Sequence, residues 1–339
     1  MGRRPLSVRA RQGGLARNLG WLLAVMVCMV VGAAGPALPD PNPAAHTSNP
    51  QGSPQTNGLE TLTPRQEPMS PSGRKTFVDL TPAELAKVVV ELKHLQPAAN
   101  QDMLPQILKR VGATVAAFFD TFYNVTCTER VISTVATPMH AVELGYDYKF
   151  NYVALPMPGT DKVTLQEFRT DSKGAPVQPQ SIKGVVTIGF VTRLNHFHPD
   201  YQSDSHFRYL GREEMKGQDT YVVAFAQQPA MARHPAFVEY GNTRGRVFMQ
   251  GVAWIDPESF RILRLRTDIL QPELKVGLQR ETTEIEYSEV TFGQGGKTLW
   301  LPRAVIVTGQ LLRYSFHNRH HYSDYRLFVV KAGETQKGP

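Results

Sequence analysis

The sequence has little with which to build covalent, phosphate or metal chemistry. It holds two cysteines in 339 residues, Cys28 and Cys127. Cys28 sits in an apolar run near the start; without that run a single thiol remains, which makes neither an internal disulfide nor a CxxC metal or redox site. Cys127 is expected as a buried, inert residue. Lysine and acidic residues are absent from the first 37 positions, which carry five arginines. The formal charge of +7 therefore belongs to the leader, and the remainder has 32 basic against 30 acidic side chains. That balance, with no basic run, excludes an electrostatic footprint for nucleic acid. There is no G-x-S-x-G, no P-loop, no dinucleotide fingerprint, no HExxH and no S-x-x-K with its companion motifs. No catalytic residue and no cofactor is expected from motifs.

What is present begins with an export signal. Residues 1–18 are Arg-rich, Leu19–Val31 is apolar apart from Gly20, and Gly32, Ala33 and Ala34 follow. That order is the basic, apolar and small-residue sequence of a secretory signal. The run is shorter than the roughly 20 residues that span a bilayer comfortably. Residues 1–37 read as a signal peptide cut after Ala33, giving a mature start between Ala34 and Asp40, or else as an uncleaved N-terminal anchor in contact with the membrane. Residues 38–75 are rich in Pro, Ser, Thr, Gln and Asn, which predicts a disordered tether. The expected location is the periplasm or cell envelope.

Order begins at Phe77. Thr81-Pro82-Ala83-Glu84 is a capping box with Pro at the first helical position, and Leu85, Val88, Val89 and Leu92 share a helical face. This predicts a helix over 82–95. Ile107, Leu108, Val111, Val115, Phe118, Phe119 and Phe122 recur at three-and-four spacing and predict a second over 103–122. The helical segment 76–122 is expected on the concave side of a sheet. After Tyr123 the period changes to two, in runs such as Thr126–Val135, Glu143–Leu155, Val185–Val191 and Arg246–Asp256. The connections are short, so an antiparallel β domain over 123–331 is expected, with a tail at 332–339. The fold class is α+β, mainly β: a large curved antiparallel sheet, an open half-barrel capped by N-terminal helices. In one hairpin Arg264 and Arg266 should face Glu284 and Glu286 in a charge ladder on the wet face. Leu263, Leu265, Ile285 and Tyr287 then point to the core.

Two sets of residues are candidates for function. His196 and His198 stand at i, i+2 with His206 close behind, and His317, His320 and His321 form a second group. Imidazoles suit zinc or iron, so a metal-dependent envelope enzyme is one reading; surface histidines, or rings that satisfy strand-end carbonyls, are the plainer one. Phe118, Phe119, Phe248 and Trp254 are the ligand-binding candidates, expected to line a connected apolar pocket on the concave face. A filled core, in a structural or assembly module, competes with that pocket.

One stretch carries a resemblance. The hairpin from Phe207-Arg208-Tyr209-Leu210-Gly211 to Thr220-Tyr221-Val222-Val223-Ala224-Phe225 leads to Gly251-Val252-Ala253-Trp254-Ile255-Asp256-Pro257. Arg261-Ile262-Leu263-Arg264 and a late Trp300-Leu301-Pro302 follow. The order resembles exported bacterial proteins of the outer-membrane lipoprotein-sorting type (LolA, LolB and LppX), in particular secreted proteins of the acidobacterial kind, over roughly 205–330. The resemblance implies an open, strongly curved sheet capped by helices. It also implies a lipid or lipoprotein as partner, carried on the concave apolar face in a non-enzymatic role.

Overall fold

The computed structural model describes residues 75–138, 143–156, 165–177, 181–185, 187–293 and 296–328. The expected leader (1–37), the tether (38–75) except its last residue, and the tail (332–339) lie outside the described residues.

The first turn follows its local signals and then departs from them. The Glu84 N–H donates to the Thr81 hydroxyl at 3.2 Å and the Thr81 N–H to the Glu84 carboxylate at 2.7 Å, closing the capping box. Yet α1 (Pro82–Leu85) stops well short of residue 95, and after a turn the chain runs on as a 3₁₀ helix, Val90–His94. Three successive β-branched residues, Val88, Val89 and Val90, crowd the preceding turn and weaken a continuous helix. The second helix forms as the spacing predicts: α2 (Leu104–Asp120) buries Ile107, Val111, Val115 and Phe119 along one stripe.

Eleven strands form one antiparallel sheet. Numbered along the chain and taken in order across the sheet, they are β1 (Gln96–Pro97), β5 (Ser205–Met215), β6 (Gln218–Gln227), β9 (Met249–Ile255), β10 (Ile262–Ile269) and β11 (Leu278–Thr291), then β12 (Thr298–Leu311), β13 (Tyr314–Leu327), β2 (Val125–Ala136), β3 (Glu143–Pro156) and β4 (Leu165–Thr170). The sheet is curved and open, a half-barrel with β1 and β4 as its edges. Two expectations are corrected here. β7 (Ala236–Tyr240) and β8 (Thr243–Val247) pair only with each other, in a separate ribbon. The run expected as strand Val185–Val191 is irregular, because Gly184 and Gly189 take φ of +85° and +92° and break the extended path.

The two helical segments lie on opposite faces of the sheet, not both on the concave side. α2 packs in the same cluster as Val223, Phe225, Ala253, Ile255 and Leu265. Leu85, Val89 and Leu92 pack with Leu210, Val222, Ala224, Val252 and Trp254. Val222 and Val223 are neighbours on β6, so their side chains point to opposite faces. Between the two helical segments the chain passes along the sheet edge as β1, pairing with Gly211 and Arg212. That edge is where it changes sides. We call the face under α2 the inner face.

The charge ladder forms in the expected register, Arg264 opposite Glu286 and Arg266 opposite Glu284. Its surroundings differ from expectation. Glu91 from the 3₁₀ helix reaches Arg264 at 2.8 Å and Arg266 at 3.5 Å, so the ladder is largely covered. A register shift between Ile262 and Arg264 turns Ile262 inward and leaves Leu263 only half-buried. Gly251 pairs with Phe225 on the inner face. A Cβ there would stand 2.6 Å from the Phe225 ring, so the absence of a side chain lets that ring lie across the strand.

Candidate functional site

The inner face carries buried charge among its apolar residues. Along β2, Val125, Cys127, Glu129, Val131, Ser133 and Val135 share one phase, and Glu129 is fully buried there. Arg169 on β4 donates from Nε and Nη2 to its two oxygens at 2.5 and 2.7 Å. The Tyr322 hydroxyl donates to the same carboxylate at 2.9 Å, and His320 Nδ1 lies 2.9 Å from it. Burial alone would raise the Glu129 carboxyl; the Arg169 cation and the hydrogen bonds of His320 and Arg169 override it and hold it at about 2. Burial lowers the His320 pKa against the pull of Glu129, so the ring is neutral. A carboxylate only accepts, so Nδ1 carries the proton. Nε2 is then an acceptor, buried without a protein partner.

This cluster also holds the segment that crosses the inner face. Arg169 donates to the Thr187 carbonyl at 2.8 Å, Asn318 to the Val185 carbonyl at 2.5 Å, and Tyr287 to the Phe190 carbonyl at 3.1 Å. The Thr192 N–H donates to Glu167 on β4 at 3.0 Å. Two 3₁₀ helices follow, Thr192–Phe197 and Pro199–Asp204, and pack against α2. Arg193 on the first is buried, and Glu281 of β11 acts on it electrostatically. Burial pushes the Glu281 carboxyl up to about 7, with Arg193 pulling the other way.

Two clefts open beside this segment. One is a cavity of about 20 Å³ bordered by Arg193, Asn195, His196, Gln227, His234 and Met249. The other, about 10 Å³ and almost wholly apolar, lies at the rim between Val135, Leu144, Tyr146, Leu311, Leu312 and Tyr314. Leu144 and Leu312 are 39% and 40% exposed there. Each volume is about that needed by one water. The inner face is filled by its own chain.

The four aromatic candidates do not line one pocket. Phe119 is buried in the inner cluster, and Phe118 packs against its ring edge-on at 5.1 Å. Trp254 lies on the other face, under α1, and donates from its indole to Glu213 at 2.8 Å. Phe248 is buried between β8 and β9. The histidines are dispersed too. His196 lies within the first 3₁₀ helix, its ring 4.7 Å from that of Phe225, and burial together with Arg193 takes it down to about 3. His198 follows that helix and is buried between Phe119 and Tyr201. His206, His317 and His321 are exposed, and His320 points inward between the last two. Among the described residues no group of three or more His, Cys, Asp or Glu is placed to hold a metal ion.

Sequence reasoning missed Glu129, Arg169, Arg193, Glu167 and Glu281. Glu129 had a signal, since it stands in phase with Cys127 and Val131 in a run whose other inward residues are apolar or small. Glu281 had the same signal, in phase with Thr283, Ile285 and Tyr287, and Arg193 had none.

No family model matches the chain, and no curated protein does. Solved structures do. An outer membrane lipoprotein-sorting protein domain from Vibrio parahaemolyticus is 12% identical, covers 67% of this chain and 94% of its own, and has a TM-score of 0.35. The chain resembles the lipoprotein-sorting proteins. A DUF1329 family protein from Desulfovibrio piger is similar at 10% identity, with 68% and 95% covered and a TM-score of 0.34. A LolA superfamily protein from Nitrosomonas europaea is 16% identical, with 67% and 94% covered and a TM-score of 0.29.

Proposed function

We propose that this chain is an exported, non-enzymatic carrier that holds an apolar, lipid-like ligand against the inner face of its half-barrel. The observation that carries the reading is the open rim. There the β12–β13 turn and the facing ends of β2 and β3, strands inside the sheet, set Leu144, Tyr146, Leu312 and Tyr314 around a small apolar cleft that borders the inner core. Exposed aliphatic side chains at the mouth of a curved sheet suit entry of an acyl chain. Phe118 and Phe119 belong to the inner cluster that such a chain would join, and Trp254 is behind the sheet. The clefts are small, so the ligand takes space now filled by the segment 181–204. The filled interior also favours a second reading, a structural module whose core is complete.

Titration of solvent-extracted protein with a fluorescent long-chain alcohol separates the two. The carrier should bind it saturably, and Leu144→Glu with Leu312→Glu should weaken binding by about tenfold or more, the effect of losing more than ~1.4 kcal/mol of apolar contact. Protein that remains folded and binds no apolar probe is a structural module.

A further inference from the structure

The two ends of the sheet finish differently. At one end the turns are polar, as in Lys216-Gly217 and Pro257-Glu258-Ser259, the residue types that turns ordinarily use. At the other end the tips are aliphatic. Leu274, in the turn between β10 and β11, is 72% exposed, the highest value for a large apolar side chain among the described residues. Leu312 opens the two-residue turn between β12 and β13. It takes φ of +53° where such a turn favours glycine, and it stays exposed. Leu144, at the start of β3, is the third tip. The three form one rim: the Leu312 N–H donates to the Gly277 carbonyl at 2.7 Å, and Leu144 and Leu312 border the same cleft. Cations surround them. Arg246, Lys275, Arg280 and Arg313 are exposed, and none of them meets a carboxylate among the described residues. The acids nearby are fewer. Glu273 turns back to accept the Lys275 N–H at 3.1 Å and lies against Gly245 of β8. Glu239 pairs with Arg244 at 3.5 Å, and Glu143 is exposed beside Leu144.

We propose that this rim docks on an anionic lipid bilayer, with Leu274, Leu312 and Leu144 entering the interface and the four cations meeting lipid phosphates. Separate aliphatic points suit a fluid surface, which closes around each one, whereas a protein partner needs a continuous complementary patch. Lys and Arg side chains extend past apolar neighbours to reach the phosphates. Each such cation near an anionic membrane strengthens binding about fivefold. Tyr146 and Tyr314, both half-buried, stand just behind the tips, where aromatic side chains settle at headgroup level. The docking surface does not depend on a ligand of the inner face, and Leu274 is outside the cleft.

The test is co-sedimentation of the full chain with vesicles of phosphatidylcholine alone and of an equal mixture with phosphatidylglycerol. Binding should be strong only on the mixture and should weaken as salt rises. Lys275→Gln with Arg280→Gln should weaken it by about tenfold or more. Leu274→Ser with Leu312→Gly should have a similar effect. Glycine suits the left-handed position at 312 and Leu274 is exposed, so this variant should keep its unfolding midpoint. In Leu274→Trp the added indole should shift its emission to the blue on the mixture, which reports the tip whatever the N-terminal run does. Equal binding to both vesicles, binding that survives either pair of substitutions, or an unshifted indole overturns the docking surface. The carrier reading is judged apart from it, by uptake of the soluble alcohol probe, which Leu274→Ser should leave unchanged.

Discussion

The two faces of the sheet carry charge at different depths. On the outer face, Leu85, Val89 and Leu92 press onto Leu210, Val222, Val252 and Trp254; the indole donates to Glu213, and the partly exposed Arg264 lies over its ring. On the inner face an equally buried surface includes Glu129, Arg169, His320 and Tyr322 in one hydrogen-bonded group, with Arg193 and Glu281 as a second ionisable pair. Apolar contact stabilises in proportion to area and needs no particular partner. Buried charge is tolerated only while each member keeps its partners. The outer layer therefore reads as fixed support, and the inner contact as an arrangement specified by polar bonds to the crossing segment.

The largest test of that contrast is Arg169→Met. It strands the Glu129 carboxylate and should cost about 3–5 kcal/mol in denaturant unfolding, while adding Glu129→Leu should recover most of the loss. Trp254→Ala on the outer face should cost a similar ~3–5 kcal/mol by leaving a cavity. If the inner double variant is no more stable than Arg169→Met, the ionic group is not what distinguishes the two faces.

The next effect is pH-dependent and confined to the inner face. The Glu281 carboxyl, ordinarily near 4.5, is raised to about 7 by burial. The folded state then keeps its proton to higher pH than the unfolded chain does. The resulting stability is complete below about 4.5 and is lost as pH rises through about 7. The loss should approach roughly 3 kcal/mol. Glu281→Gln cannot titrate, so relative to wild type it should gain that amount between pH 4.5 and 8 in urea unfolding. Glu129 acts in the opposite sense, its contribution disappearing as pH falls from about 4.5 towards 2. A flat difference between wild type and Glu281→Gln would mean that the carboxyl is ionised throughout.

On the outer face Trp254→Phe keeps most of the packing and removes the N–H that Glu213 accepts. It should cost about 2 kcal/mol, the range for a buried hydrogen bond to a charged group. Binding of an apolar probe should be unchanged, because Trp254 is screened from the inner face by the sheet. Weakened binding in this variant would place the ligand on the wrong side of the proposed carrier.

How much of this was legible follows from the range of each signal. Period-two alternation and turn residues act within a few positions, and they located strands such as Glu143–Pro156 and the Arg264–Glu286 register. The face taken by each helix depends on where the chain rounds the edge at Gln96–Pro97, and a two-residue strand has no periodicity to read. Four of the candidate histidines, His196, His206, His317 and His321, are exposed or half-buried and look the same in sequence as His320, whose role depends on Glu129, 191 positions away. Trp254 and Phe119 both fit an apolar pattern. Only the parity of Val222 against Val223 separates them, and that parity means nothing until the partners across the sheet are known.

The smallest effect tests whether charge contributes to the outer layer at all. Glu91 accepts from Arg264 at 2.8 Å and approaches Arg266 to 3.5 Å. It is not their only partner: Arg264 also meets Glu284 at 2.5 Å, and Arg266 meets Asp268 at 3.0 Å. With Glu91 replaced by Gln, both arginines keep a carboxylate, and the amide oxygen can still accept one hydrogen bond. The side chains are 10–20% exposed at these positions, so some screening by water remains. Glu91→Gln should therefore cost about 0.5–1 kcal/mol in low salt. The cost should shrink further in about 1 M salt, where the screening length falls to roughly 3 Å. A loss larger than that of Trp254→Phe, or one that salt leaves unchanged, would show that ion pairing and not apolar contact secures the first helical segment to the sheet.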